Sequence, residues 1–503
     1  MKYHLLLIAM LFSAVATTFG QFGQTPAPAE IVTSPVTRTI ALKNANIIPS
    51  PGQMIEKGIV VIKDGLILAV GKDVKIPIDA KVIDADSMYV YAGFIDGMSH
   101  VGIPAPQNNQ GQGGFGAQAQ RPQTQAQPQI DRGNPPNEAA GILPERSVET
   151  VIKMDDKSVA DMRKLGFTAA HIVPRGNMLP GKGAIVLLNE KSPYLRKDAS
   201  FFSQLQGSGR MYPSTVIAVM SKYRELYKQA EQAKTHEAMF AKNPKGMERP
   251  NYSPTLQAFY PVIDKKQTVF FNAEDVLSIY RVFTLQKDLG FSMVLANVKQ
   301  GWEHADAIKT KGIPVILSLD LPEEPKTSEN AQANASGRTP GRLVADRNEQ
   351  PNAEDAKKEE PKEKVANDPE KEKLEARRKE EMKKYLAQAG VFESKGIEFG
   401  LATTDADSKN IHANLRKMIE NGLTEKAALA ALTTTPAKML GLSDVLGTIE
   451  QGKIGNLVVT SKPYFDEKAK VKYVFVDGQM FEYEDEPAAP ANRGRRPTGG
   501  GTN

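Results

Sequence analysis

Ala92-Gly93-Phe94-Ile95-Asp96-Gly97-Met98-Ser99-His100 is the stretch on which the reading of this chain turns. On a β-strand, residues i and i+2 point to the same side, so Met98 and His100 share a face. Two such side chains could grip one metal ion if both were imidazoles. A thioether is a soft, neutral ligand and a poor substitute for imidazole on zinc. The segment therefore reads as a strand end that presents one imidazole and one thioether on the same face.

Upstream of it, residues 37–90 are strand-like. Ile40-Ala41-Leu42 and Ile59-Val60-Val61-Ile62 are short β-prone runs, and Lys63-Asp64-Gly65 is a turn signal before Leu66-Ile67-Leu68. Residues 447–459 repeat this style near the other end, followed by residues 471–476, Asp477-Gly478 and Met480-Phe481. Two strand-rich ends around a long centre predict one small β-domain assembled from both termini. The centre alternates instead. Strands are expected at residues 167–173, 268–271, 292–296, 313–319 and 398–402. Helices are expected at 158–165, 276–289, 303–310, 405–421 and 425–432. Such alternation predicts a parallel sheet, and a barrel would place its chemistry at the C-terminal ends of the strands.

Two segments interrupt the centre. Residues 104–145 are rich in Gln, Gly, Asn and Pro and read as a mobile loop. Residues 321–384 are dominated by Lys, Glu, Asp, Asn and Ala. Their first part reads as disordered and residues 370–387 as a solvated charged helix. Lys2 and the apolar run 5–16 read as a secretory signal over residues 1–20, with a leader at 21–36. The chain has no cysteine, which excludes a lipid-modified cysteine, disulfides and thiolate metal sites. No later segment is long and apolar enough to span a membrane. An exported, periplasmic protein is expected. A net charge of +5 over 503 residues leaves no nucleic-acid footprint. The tail, residues 484–503 with Arg493-Gly494-Arg495-Arg496, reads as disordered.

The opening stretch resembles the Gly-Phe-Ile-Asp-x-His-x-His ending of the first barrel strand in the amidohydrolase superfamily. Leu429-Ala430-Ala431-Leu432-Thr433-Thr434-Thr435-Pro436-Ala437, followed by Gly447-Thr448-Ile449-Glu450-Gln451-Gly452-Lys453, is similar to that family's last helix and its return into the β-domain. The likeness covers most of the mature chain and is nearest to the exported, imidazolonepropionase-like branch. It implies an α/β fold: a (β/α)₈ TIM-type barrel over residues 91–443 beside a small composite β-sandwich made of residues 37–90 and 444–483. It also implies a metal set of a strand-one His-x-His, a histidine each from strands five and six, and a strand-eight aspartate. Such a set holds a cation, lowers the pKa of its bound water and handles the proton.

Placed on this sequence, the resemblance keeps His100 and Asp405 and replaces the other three positions by Met98, Asn272 and Asn297. Asp405 is the expected catalytic residue, and His100 with Asp405 the expected metal pair. Two ligands are one short of the three usual for catalytic zinc. The implied cofactor is at most one divalent metal (Zn²⁺, Mn²⁺ or Mg²⁺), weakly bound or absent. The oxygens of Asn272, Asn297 and Asp405 would suit only a hard cation. His171 reads as a core histidine, His236 as exposed, and His304 and His412 as helix-face residues. Two functions stay open. One is an amidohydrolase-type hydrolase acting on C–N bonds of a small amide or peptide-like molecule. The other is a catalytically silent barrel that binds a ligand or partners an active amidohydrolase chain. Cysteine-dependent chemistry, a P-loop and a Gly-x-Ser-x-Gly elbow are all missing.

Overall fold

The structure is a computed structural model that describes residues 39–105, 131–189, 194–322 and 369–483. The expected signal, leader and basic tail lie outside the described residues, as does most of the two low-complexity segments. The ends of the described chain build one sheet. Its N-terminal strands are β1 (Thr39–Ile48), β2 (Ile55–Lys63), β3 (Leu66–Gly71), β4 (Lys81–Asp84) and β5 (Tyr89–Ala92).

The central sheet follows with β6 (Phe94–Ser99), β7 (Phe167–Ile172), β8 (Gly181–Leu187), β9 (Tyr194–Gln204), β10 (Val269–Asn272), β11 (Met293–Val298), β12 (Val315–Ser318) and β13 (Phe399–Ala402). The chain then returns to the first sheet through β14 (Leu457–Thr460), β15 (Val471–Val476) and β16 (Gln479–Glu482). The first sheet runs β16-β15-β14-β5-β1-β2-β3, with β4 beside β1. The antiparallel join of β5 to β14, Ala92 opposite Leu457, fuses the two ends. Asp64-Gly65 and Asp477-Gly478 both hold positive φ in two-residue turns, as a type I′ hairpin requires. The two turns also pack together: a Cβ on Gly478 would lie 2.8 Å from the Gly65 Cα.

The central sheet runs in sequence order from β6 to β13 and is the expected (β/α)₈-type barrel. One strand departs from an all-parallel pattern: β8 is antiparallel to both β7 and β9. The sequence reading placed no strand at 181–187 or 194–204. Gly181 and Gly183 thin the apolar pattern of the first, and Arg196-Lys197-Asp198 interrupt the second. Helices pack outside. They include α1 (Lys157–Lys164), α2 (Val216–Lys242), α3 (Val276–Leu289), α4 (Ala305–Lys311), α5 (Pro369–Ser394), α6 (Ile411–Glu420) and α7 (Glu425–Leu432). Helix α3 shows why its bounds were legible. Asp275 caps Ser278 N, Ile279, Val282, Leu285 and Leu289 face the core, and Gly290 ends it at φ 73. The described side chains of helix α5 within the expected 370–387 are exposed or half-buried, and the helix runs on to Ser394, where Phe392 is fully buried and Gln388 bonds Gly301 N and Val298 O. Helix α6 starts at Ile411 rather than 405, because residues 403–410 form turns, with Ala406 N bonded to Thr403 O and Asn410 N to Asp407 O.

The barrel interior is filled by Ile95, Met98, Phe202, Phe270, Val294, Ile316 and Ala402. Side chains stitch its closing seam between β6 and β13. Buried Asp96 accepts from Thr403 N at 3.1 Å, from Thr403 Oγ1, and from Met98 N at 3.2 Å. Thr404 Oγ1 donates to Met98 O at 2.9 Å. The strands approach so closely that a Cβ on Gly97 would lie 2.9 Å from Leu401 O.

Burial raises the Asp96 carboxyl to about 7, against the lowering effect of its donors. A raised folded pKa means that Asp96 contributes its full stability below its ordinary value of 3.8 and loses it as pH rises through about 7. Asp96→Ala should cost about 3 kcal/mol in urea unfolding, because it strands two buried N–H groups. The stability advantage of the native protein over Asp96→Asn should shrink from about pH 5 to about pH 8. An advantage that grows with pH would refute the assignment.

Candidate functional site

The C-terminal ends of the barrel strands carry polar side chains, at the face where barrel sites are built. His100 follows β6. Its Nδ1 lies 2.8 Å from Val173 O. A carbonyl only accepts, so Nδ1 carries the proton and Nε2 a lone pair. Burial first, and the charge of Arg175 second, push the ring down to about 4, while Val173 O and Asp405 pull the other way. The imidazole is therefore neutral at neutral pH.

Asn272 ends β10, and its Nδ2 donates at 3.3 Å to both Gln204 Oε1 and Glu274 Oε1. Asn297 lies near the end of β11 at φ 56, a left-handed conformation that asparagine tolerates better than most residues. It is fully buried, and its Nδ2 donates to Asp405 Oδ2 at 2.8 Å. The Oδ1 atoms of Asn272 and Asn297 are buried without a partner. Asp405 lies just past β13. Met98, also fully buried, packs its thioether into the barrel core.

Lys299, just past β11, binds this group together. Its Nζ lies 2.9 Å from Asp320 Oδ2, 3.1 Å from Glu274 Oε2 and 3.5 Å from Asp405 Oδ2. Burial disfavours the ammonium, but the hydrogen bond to Asp320 and the charges of Glu274 and Asp405 outweigh it, so its pKa is raised. A cavity of about 470 Å³ opens above, lined by His100, Arg175, Phe202, Asn272, Glu274 and Asp405 among others. The structure thus brings His100, Asn272 and Asp405 to one cavity, with Asn297 bonded to Asp405 and Met98 in the core below.

The match to the Amidohydrolase family covers residues 326–481, a range that contains β13, Asp405 and the return into the β-domain. The fold resembles that of an amidohydrolase from Thermotoga maritima MSB8, with a TM-score of 0.64 and 19% identity, over 88% of this chain and 100% of that one. The family match is thus confined to residues 326–481, and the fold of the chain is that of an amidohydrolase. Two further solved structures are similar at lower scores. A prolidase complexed with N-methylphosphonate-L-proline has a TM-score of 0.46 and 16% identity, over 89% of this chain and 100% of that one. A putative prolidase from Bifidobacterium longum has a TM-score of 0.43 and 12% identity, over 89% and 95%. No curated protein sequence matches the chain significantly.

The matched family generally uses divalent metals, which need lone pairs that converge on one point. Asp405, the retained acid, receives N–H groups from Asn297 and Lys299. Asn272 likewise turns a donor toward Glu274. Among the described residues, no three His, Asp or Glu side chains are grouped to hold a metal. The residues do not fit a catalytic metal.

The remaining histidines are elsewhere. His171 is fully buried with both ring nitrogens engaged, by Gly97 O at 3.0 Å and Ser200 Oγ at 2.7 Å. His304 bonds Val276 O, and His412 bonds Tyr464 O beside the β-domain. His236 is half-buried on α2 rather than exposed. Lys299, Asp320 and Arg175 were not read from the sequence as site residues. Their one local signal is a charged side chain within a few positions of a strand end. The neutral His100 is directly measurable. Its ring nitrogens should report the Nδ1–H tautomer by NMR and stay neutral down to about pH 4; a midpoint near its ordinary 6.5 would contradict the burial of the ring.

Proposed function

We propose that this chain, an amidohydrolase by fold, binds a small amide or peptide-like molecule at the barrel mouth without metal-assisted hydrolysis. The family match supports hydrolysis of C–N bonds as the general activity of its relatives. One observation carries the departure: the acid that would hold the metal accepts hydrogen bonds from an amide and an ammonium. The polar replacements support a retained ligand site, because Asn272 lines a cavity large enough for a small molecule and the buried Asn297 holds Asp405 at its edge. A partner chain with an intact metal set would then supply catalysis. The reading also includes export to the periplasm by residues 1–20. No helix among the described residues is long and apolar enough to cross a membrane.

A second reading has its own support. His100 offers an unprotonated Nε2, and Asp405 lines the same cavity. Together they could orient and deprotonate a water without a metal, leaving slow hydrolysis.

Metal content decides between the readings and conventional catalysis. The purified protein, incubated with Zn²⁺, Mn²⁺ or Mg²⁺ and then desalted, should carry no stoichiometric metal. It should show no turnover of amides or dipeptides. One metal per chain, lost in His100→Ala/Asp405→Asn, would overturn the proposal. Metal-independent turnover lost in Asp405→Asn would favour the second reading.

A further inference from the structure

Arg175 stands three residues past β7, in the wall of the cavity at the barrel mouth. Among the residues that line this cavity it alone carries a positive charge, since His100 is neutral. Arginines elsewhere in the fold spend their guanidinium hydrogens on fixed acceptors. Arg146 donates to Pro180 O and Arg175 O, Arg196 to Leu440 O and Gly441 O, and Arg224 to Asp288. Arg175 differs. Among the described residues no carbonyl or carboxylate accepts from its guanidinium, and its Nε is buried without a partner. Burial disfavours its charge, and Asp405 supports that charge only through space. The backbone around it is nonetheless fixed: Arg146 donates to Arg175 O at 2.9 Å, and Gln204 Nε2 to Asn177 O at 2.9 Å. A pinned loop that holds a half-buried, uncompensated cation at a cavity is costly for the fold and favourable for an anionic ligand. The same cavity offers an acceptor. Asp405 takes Asn297 and Lys299 on Oδ2, and its Oδ1 has no hydrogen bond among the described residues.

We infer that the barrel mouth selects a ligand bearing both a carboxylate and an amide N–H, with Arg175 as the specificity residue for the carboxylate and Asp405 Oδ1 as the acceptor of the N–H. The inference rests on the ligand-binding reading above and adds to it the ligand's charge and the residue that reads it. A planar guanidinium can give two parallel N–H bonds to the two oxygens of a carboxylate, and such charge-assisted pairs are stronger than neutral ones. A carboxamide of the same shape offers one oxygen and no charge, so it leaves the arginine uncompensated. The acids of the cavity do not forbid an anion. Glu274 and Asp405 share Lys299 as a counterion, which offsets part of their charge. Pro174 and Phe202 in the same wall supply apolar surface for the body of the ligand.

The test measures binding to the full chain at neutral pH by titration calorimetry and ligand-observed NMR. The probes are N-acetylglycine, N-acetyl-L-alanine and N-acetyl-L-leucine, each beside its C-terminal amide. At least one acid should bind saturably, and its amide should bind at least about tenfold more weakly. N-acetylsarcosine, an isomer of N-acetylalanine without the N–H, should also bind more weakly. Arg175→Met keeps an apolar stem and should erase the preference by weakening the acid alone. Arg175→Lys keeps the charge without the planar fork and should retain part of the preference. Arg175→Gln gives the same readout if the methionine variant does not fold. A preference for the acid that survives in Arg175→Met, or native protein that binds amides as tightly as acids, overturns the inference and leaves the ligand-binding reading standing. Equal binding of N-acetylsarcosine and N-acetylalanine overturns the contact with Asp405. Native protein that binds neither series overturns the ligand-binding reading, and the inference falls with it.

Discussion

The hydrogen bonds of Asp96 to Thr403 hold the ends of the barrel together. A barrel has no free edges only if its first and last strands meet, and here the meeting is made by side chains. Asp96 is fully buried, so its acceptors must be met by specific donors or cost several kcal/mol. Thr403 meets them from the residue after β13, and Thr404 returns a bond to Met98 O. That seam fixes where residues 98–100 lie relative to residues 403–405. Everything that can be said of His100 and Asp405 as neighbours depends on it.

The opposite side of Asp405 is fixed by charge. Asn297 and Lys299 come from one strand end and both reach Oδ2 of Asp405. Lys299 extends the same hold to strands β10 and β12 through Glu274 and Asp320. The two clamps differ in kind. The seam is buried and neutral-leaning, with Asp96 raised to about 7. The lysine cluster is half-exposed and ionic, so each of its pairs is screened and contributes modestly. Its value lies in position: it sets four strand ends at once.

The fold was largely legible because its signals are local. Asp64-Gly65 and Asp477-Gly478 announce hairpins, and Asp275 and Gly290 bracket a helix with a regular apolar face. The β8–β9 hairpin was not legible, since glycines and charges break its alternation and its pairing is set by neighbours. The site divides the same way. Met98, His100, Asn272, Asn297 and Asp405 were picked out by likeness to a family pattern. Lys299, Asp320 and Arg175 were not, because nothing local marks a lysine that finds carboxylates 21 and 106 residues away. A cluster assembled from four strand ends exists only once the barrel closes.

The replacements also form a consistent set. A thioether at position 98 would be a weak ligand at the mouth, and it is instead fully buried in the barrel core. Amides at 272 and 297 keep polarity without basicity, and each turns an N–H toward a carboxylate. A metal needs lone pairs pointing inward; this site points N–H groups at its acids and supplies its own cation. Lys299 balances Glu274, Asp320 and Asp405, and the cavity above is lined by Arg175, His100 and Asn272. A charge balance met from within the chain and an open polar cavity are therefore compatible in one architecture.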